Sequence, residues 1–191
     1  GIGGYVGIEV VRGSGKVIIK NCNIRFFWQG VRADGGDLKD IGGFVLEDSQ
    51  VSFNTDRGVH VKEIKDGGVL IRNNDVHDND VDGIFVADSD NAVIFNNDLT
   101  NNKHGLTVYK SRNAQITENE AYVNKENGFK IWEGSSARIW NNIAEATDRD
   151  GRYIKHGHGF NIKLSSNVEL RENQAVDNDV DGFYVSGSPS T

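Results

Sequence analysis

A chain of 191 residues with 37% hydrophobic and 26% charged residues is long enough for one sizeable core, and no apolar run approaches the roughly 20 residues of a membrane-spanning helix. The net charge of −7, with no cationic block, removes the basic face that nucleic acid requires, so any anionic ligand must meet a local cluster of Lys or Arg. With 23 Gly, one Pro (Pro189), no Met and frequent Asn and Asp, the composition favours short strands joined by tight turns over helices. The lone Cys22 allows no internal disulfide and reads as a buried small hydrophobe. The sequence opens at Gly1 directly in repeat-like sequence with no signal peptide, which predicts a mature or truncated piece of something longer.

Taken in chain order, one grammar recurs: a polar residue, Gly, then apolar, any residue, apolar. The glycines are Gly7, Gly30, Gly58, Gly83, Gly105, Gly128, Gly159 and Gly182. The apolar pairs after them are Ile8/Val10, Val31/Ala33, Val59/Val61, Ile84/Val86, Leu106/Val108, Phe129/Ile131, Phe160/Ile162 and Phe183/Val185. Alternation at period two marks a strand with one buried face. The nonapeptide Asp78-Asn79-Asp80-Val81-Asp82-Gly83-Ile84-Phe85-Val86 returns almost unchanged as Asp177-Asn178-Asp179-Val180-Asp181-Gly182-Phe183-Tyr184-Val185. A second register pairs an aliphatic residue with an Asn three places later: Ile18/Asn21, Ile71/Asn74, Ile94/Asn97, Ile116/Asn119, Ile139/Asn142 and Leu170/Asn173, with Leu46/Ser49 as a weaker member. Asn stacked at one turn position can bond up and down the stack.

A repeat of about 22 or 23 residues with short strands and an interior amide ladder predicts an all-β fold, a single-stranded right-handed parallel β-helix (solenoid) of about eight rungs, forming one domain over residues 1–191. A leucine-rich repeat has a similar period but needs several Leu per repeat, and here Leu is sparse. Departures from the period place insertions after Gly30, after Gly58 and between Asn142 and Gly159. Asp34-Gly35-Gly36-Asp37-Leu38-Lys39-Asp40 and Asp148-Arg149-Asp150-Gly151-Arg152-Tyr153 are therefore expected as loops leaving a regular body.

If the first and third residues after each Gly point inward, the second and fourth point outward and stack about 4.8 Å apart from rung to rung. The second positions read Glu9, Arg32, His60, Phe85, Thr107, Lys130, Asn161, Tyr184; the fourth read Val11, Asp34, Lys62, Ala87, Tyr109, Trp132, Lys163, Ser186. Aromatic rings beside cations on an acidic protein suit a polysaccharide of acidic sugars, rings stacking on pyranose faces and cations pairing with carboxylates. The competing reading is a solvated sheet that uses aromatic and Lys ladders only for strand pairing. The residues before each Gly form a rim column, Gln29, Arg57, Asp82, His104, Asn127, His158, Asp181, in which His and Asp, with Lys103 and His156 nearby, offer general acid and base groups. Turn formation is the better account of Asn127 and Asp181, and a weaker one of His104, since His is not a favoured turn former. The clusters Asp78/Asp80/Asp82 and Asp177/Asp179/Asp181 offer hard oxygen ligands of the kind calcium (Ca2+) takes, but match no EF-hand or nonapeptide calcium repeat; no metal ligand is assigned, and the His residues are not at zinc spacing.

Ile71-Arg72-Asn73-Asn74-Asp75-Val76-His77-Asp78-Asn79-Asp80-Val81-Asp82-Gly83, continued through Asn96-Asn97 to Asn102-Lys103-His104-Gly105, resembles the catalytic β-helix module of the mannuronan C5-epimerases, within the pectin-lyase-like superfamily. Gly159-Phe160-Asn161-Ile162-Lys163-Leu164-Ser165-Ser166 is similar as well, and the rungs from Gly58 to Gly182 match in order. The resemblance implies that Asp82 matches an Asp before the strand glycine, His104 the active-site His of an Arg-His-Gly motif, Lys103 its Arg, and Lys163 a Lys that meets the substrate carboxylate. The family's Tyr-Gly-Phe-Asp-Pro-His falls on Arg57-Gly58-Val59-His60-Val61-Lys62, so that motif is not preserved. Asn54-Thr55-Asp56, Gly157-His158-Gly159 and Asn161-Ile162-Lys163 resemble polygalacturonase motifs, but the paired Asp between them is missing, which argues against a glycoside hydrolase.

The expected activity is C5-proton abstraction on an alginate-like uronic-acid polysaccharide, by an epimerase or lyase, secreted or at the cell surface. Its catalytic candidates are His104, Asp82, His60, Tyr109 and Lys163, the lysine to neutralise the carboxylate, and its substrate-binding candidates Lys62, Phe85, Lys103, Lys130, Trp132, Tyr184 and Arg32. The alternative is a non-catalytic polysaccharide-binding or structural β-helix, whose open sheet ends would make end-to-end contacts or need capping sequence.

Overall fold

The computed structural model of the protein describes residues 4–11, 13–36, 41–146 and 157–187. Within them lie 22 strands and no helix, and every pairing is parallel to a strand one turn earlier or later. Three sheets result. The first has eight strands, Val6–Val10, Gln29–Asp34, Val59–Lys62, Asp82–Ala87, His104–Tyr109, Asn127–Trp132, His158–Lys163 and Phe183–Ser186, stacked in sequence order. The second and third have seven strands each, in the same monotonic order. The chain therefore winds through about seven full turns and ends on an eighth strand of the first sheet, close to the eight rungs expected.

Inward positions of the first sheet stack like on like. Ile84 pairs with Leu106, Leu106 with Phe129 and Phe129 with Phe160, all fully buried. Phe129, Phe160 and Phe183 continue as a ring stack at 4.8 and 4.7 Å. This column is the spine of the core, and its burial is the main stabilising term.

The corners explain the Asn-Asn doublets. In Asn73-Asn74, Asn96-Asn97 and Asn141-Asn142 the first Asn takes φ between 52° and 56°, a left-handed conformation Asn tolerates, and turns the chain. The second joins an interior ladder: Asn74, Asn97, Asn119, Asn142 and Asn173 hand amide protons along the stack at 2.8 to 3.0 Å. At its head the ladder passes to Ser49 and then to Cys22, whose backbone N–H donates to Ser49 Oγ at 3.1 Å. The expected first pair Ile18/Asn21 is therefore displaced by one residue. Ile19 pairs with Leu46, Ile18 is 58% exposed and Asn21 is the turning residue. Cys22 packs against the core only partly buried, at the ladder position Asn occupies elsewhere.

A second ladder, Asn54, Asn79, Asn102 and Asn124, runs behind the corner that leads into the first sheet. It dictates the recurring glycine. A Cβ at Gly83 would lie 2.8 Å from Asn102 Nδ2 and 2.8 Å from Gly105 O, and one at Gly58 equally close to Asn79 and Gly83. From Gly7 to Gly159 a Cβ would also meet the carbonyl oxygen of the next glycine in the column at 2.6 to 2.8 Å, so close approach requires glycine at each of these rungs, and only Gly182, on the last strand, escapes it.

Asp34, expected in a loop, ends a strand and pairs with Lys62, and Gly35 N–H still bonds Lys62 O at 2.9 Å. The remainder of that expected loop, Asp37 to Asp40, and the segment from Asp148 to Tyr153 lie outside the described residues, as does His156.

Candidate functional site

Register bears out both outward columns. Arg32, His60, Phe85, Thr107, Lys130, Asn161 and Tyr184 align, as do Asp34, Lys62, Ala87, Tyr109, Trp132, Lys163 and Ser186. Outward in the pleat does not mean exposed, however. Thr107, Ala87 and Asn161 are buried on this face, and in the rim column so are Gln29, Asp82, His104 and Asn127. Polar groups buried on an outer face need partners.

Asp82, 3% exposed, accepts from Arg57 Nε at 2.9 Å and from Thr107 Oγ1 at 2.6 Å. The Arg57 guanidinium lies 4.3 Å from the centre of the Phe85 ring, and the His60 ring stands edge-on to that of Phe85 at 5.3 Å between centroids. His104, the register partner of Asp82, has its Nδ1 3.0 Å from Asn127 Nδ2, and Asn127 Oδ1 accepts from Asn161 Nδ2 at 2.9 Å. Its Nε2 faces Glu126 Oε2 at 3.6 Å, and the other Glu126 oxygen pairs with Lys103 at 3.3 Å.

Burial and nearby cations make this a neutral-histidine site. His104 is pushed down to about 3, first by desolvation, then by Lys130, against the opposing pull of Glu126. His60 is pushed down to about 4 by burial and by Arg57 and Arg32. Burial also lowers Lys130, although Asp82 and Glu126 resist that shift.

The expected residues divide into three groups. Asp82, His104 and Lys103 lie at or just before the strand starts of the central rungs, with His60, Phe85 and Lys130 in the neighbouring outward column at mid-strand. Tyr109, Trp132, Lys163 and Tyr184 lie toward the strand ends of later rungs or beyond: Tyr109 and Trp132 rings are 5.4 Å apart, Lys130 sits 5.4 Å from the Trp132 ring, and Lys163 5.2 Å from that of Tyr184. His104 and Tyr109 occupy the two ends of one strand, five residues or about 17 Å apart at 3.3 Å per residue. Arg32 and Lys62 stand at the earlier rungs with their charge already matched, Arg32 by Asp34 at 3.2 Å and Lys62 by Glu63 at 2.8 Å, the latter pair raising the Lys62 pKa.

Neither Asp cluster forms a metal site. Among the described residues no three His, Cys, Asp or Glu side chains converge to hold an ion. Asp78 is engaged by Asn101 and by His77, and Asp82 by Arg57 and Thr107. Two charged groups of this cluster are absent from the expected site. Arg57 was visible in the rim column but its pairing with Asp82 was not, and Glu126 sits two residues before its glycine, outside all three columns. The signal for Glu126 was available in that neighbouring position, where Lys103 and Glu126 follow one another on adjacent rungs with opposite charge.

Three parallel sheets coiled around a continuous core define a β-helix protein. A family model described as "Right handed beta helix region" matches residues 6–157 and 64–191, and the chain belongs to this right-handed β-helix family. No curated protein matches the sequence. Two solved structures of the periplasmic alginate epimerase AlgG, a double mutant and a single mutant, are similar in fold, with TM-scores of 0.75 and 0.73. Identity is 24% and 23%, over 94% and 90% of this chain and 41% and 40% of theirs. The chain thus spans about two fifths of the length of those proteins, and at this identity the likeness is one of fold.

Proposed function

We propose that the outer face of the first sheet binds an acidic, uronate-containing polysaccharide outside the cytoplasm, and that its central rungs act on the bound sugar by C5-proton abstraction. The observation that carries this reading is charge matching. Arg32, Lys62, Lys103 and Lys110 each have a carboxylate within 4 Å, whereas Lys130 and Lys163 have none among the described residues and lie against Trp132 and Tyr184 instead. Two unmatched cations beside aromatic rings, on a protein of net charge −7, are arranged for an anionic ligand with apolar faces. The AlgG fold likeness is in keeping with an alginate-like substrate.

In this reading Lys130 neutralises the uronate carboxylate, which lowers the cost of developing carbanion character at C5, while Arg57 stays paired with Asp82 and Asp56. His60 and His104, both neutral, line the place where the proton moves, and Asp82 holds Arg57. Return of a proton gives epimerisation, and loss of the C4 substituent gives elimination. A non-catalytic binding module is the second reading, favoured by the separation of His104 from Tyr109 and by the occupied Nδ1 of His104.

Incubation with polymannuronate, polyguluronate and polygalacturonate tests the proposal, with NMR reading epimer content and ultraviolet absorbance reading unsaturated ends. Turnover that falls at least about tenfold in Lys130→Ala supports the enzyme reading. Binding without turnover supports the module, and neither binding nor turnover across the panel overturns both.

A further inference from the structure

The acid–base role given to His104 depends on which of its nitrogens carries the proton, and the side chains around it decide this. Asn161, Asn127 and His104 form a buried chain across three consecutive rungs, at 2.9 and 3.0 Å. Two self-consistent arrangements exist, because each amide can be turned end for end. In the first, Asn161 Nδ2–H donates to Asn127 Oδ1 and Asn127 Nδ2–H donates to His104 Nδ1, so the imidazole proton sits on Nε2. In the second, both amides are turned, His104 donates from Nδ1, and Nε2 carries a lone pair.

Two observations choose the first. The far end of the chain, Asn161 Oδ1, is buried with no partner. The first arrangement leaves this one acceptor unsatisfied, whereas turning the chain would bury an amide group with two donors there, a larger desolvation cost. At the near end, His104 Nε2 faces Glu126 Oε2 at 3.6 Å. A proton on Nε2 meets that carboxylate favourably, while a lone pair would be repelled by it. The 3.6 Å separation is longer than a hydrogen bond, so the Nε2–H remains available to an incoming acceptor.

We propose that Asn127 and Asn161 are positioning residues that hold His104 as a neutral imidazole with its proton on Nε2, and that His104 meets the ligand as a hydrogen-bond donor to an anionic or carbonyl-type oxygen, the base being another group. The proposal rests on the polysaccharide reading for the identity of that oxygen, a uronate carboxylate, and on the hydrogen-bond chain alone for the tautomer. A neutral imidazole N–H is a competent electrophile toward a developing oxyanion, and it needs no protonation at a site that opposes positive charge. His60, one rung before Phe85, is likewise held neutral by burial and by Arg57 and Arg32.

The test is the 15N NMR signature of the His104 ring in the full chain, assigned by loss of its signals in His104→Gln. The expected wild-type pattern is an unprotonated Nδ1 and a protonated Nε2. Asn127→Asp replaces the donor to Nδ1 by an acceptor, and it is expected to move the proton to Nδ1 or to charge the ring. Asn161→Ala, one rung further away, is a second variant should Asn127→Asp not fold; it frees Asn127 to turn and is expected to give a mixture of tautomers. A wild-type His104 protonated at Nδ1, or a tautomer unchanged in folded Asn127→Asp and Asn161→Ala, would overturn the proposal. Titration with a short oligomannuronate then separates the two claims. A shift at Nε2 supports His104 as the donor, binding that leaves Nε2 unmoved removes that role, and no binding at all removes the polysaccharide reading while the tautomer result stands.

Discussion

The two near-identical nonapeptides, Asp78 to Val86 and Asp177 to Val185, are built from almost the same letters and live in different surroundings. Ile84 and Val86 are fully buried, whereas Phe183 and Val185 at the same inward positions are 45% and 59% exposed, on a strand with a neighbour on one side only among the described residues. Asp82 is buried between Arg57 and Thr107, and Asp181 is half exposed, 3.2 Å from His158. In a solenoid a residue's role is set by the rungs above and below it more than by its own segment.

Substitutions made in pairs, one in each copy, sharpen that contrast. The largest difference is expected at the glycines. A Cβ at Gly83 meets Asn102 and the Gly105 carbonyl, while at Gly182 the nearest atom is the Ala175 side chain at 3.1 Å. Gly83→Ala is expected to lose about 3 kcal/mol in urea unfolding and Gly182→Ala under about 1 kcal/mol. Equal losses would mean that the ladder does not set the glycine requirement.

Next come the ladder amides. Asn79 donates to Asn102 Oδ1 and to the carbonyls of Val51 and His77, and accepts from Asn54. Asn79→Ala orphans several of these groups and should cost about 2 kcal/mol, against about 1 kcal/mol for Asn178→Ala, whose Nδ2 bonds Ala144 O. Differential scanning calorimetry of the two variants would show the gap as unequal drops in Tm.

For the carboxylates, Asp82→Asn leaves Arg57 with only the more distant Asp56, at 3.8 Å, and should cost between about 1 and 2 kcal/mol, while Asp181→Asn should stay within about 0.5 kcal/mol. A smaller effect concerns pH. His104 and His60 are held near 3 and near 4 in the fold, against an ordinary 6.5. Below 6.5 the unfolded chain binds protons that the folded chain refuses, so their contribution to stability is complete above about pH 6.5 and is lost as pH falls toward those lower values. The double variant His60→Gln/His104→Gln should therefore lose less stability than the parent between about pH 7 and pH 5, read as the shift in urea midpoint.

The backbone plan was legible because two signals repeat at every turn: the glycine forced by close approach and the period-two apolar pair. The head of the Asn ladder was misplaced by one residue because Asn also serves as the left-handed turning residue, so Asn21 looked like the rung and Cys22 did not. The second ladder went unread although Asn54, Asn79 and Asn102 follow the same period and stand three residues after Val51, Val76 and Leu99, the same spacing as in the first ladder. Of the candidate site, the columns were readable from pleat alone, but charge matching was not. Which cations are already neutralised depends on Glu63, Glu126 and Asp34, and their reach is a matter of side-chain direction.

The central claim is that Lys130 and Lys163 form an anion-seeking, aromatic-backed surface. Calorimetric titration of wild type, Lys130→Ala and Lys62→Ala with an oligomannuronate and with a neutral mannan oligosaccharide of equal length tests it most directly. The account predicts salt-sensitive binding of the uronate alone, weakened at least about tenfold, or about 1.4 kcal/mol, by Lys130→Ala and little changed by Lys62→Ala. Equal affinity for the neutral sugar, or a Lys130→Ala variant that binds like the parent, would contradict it.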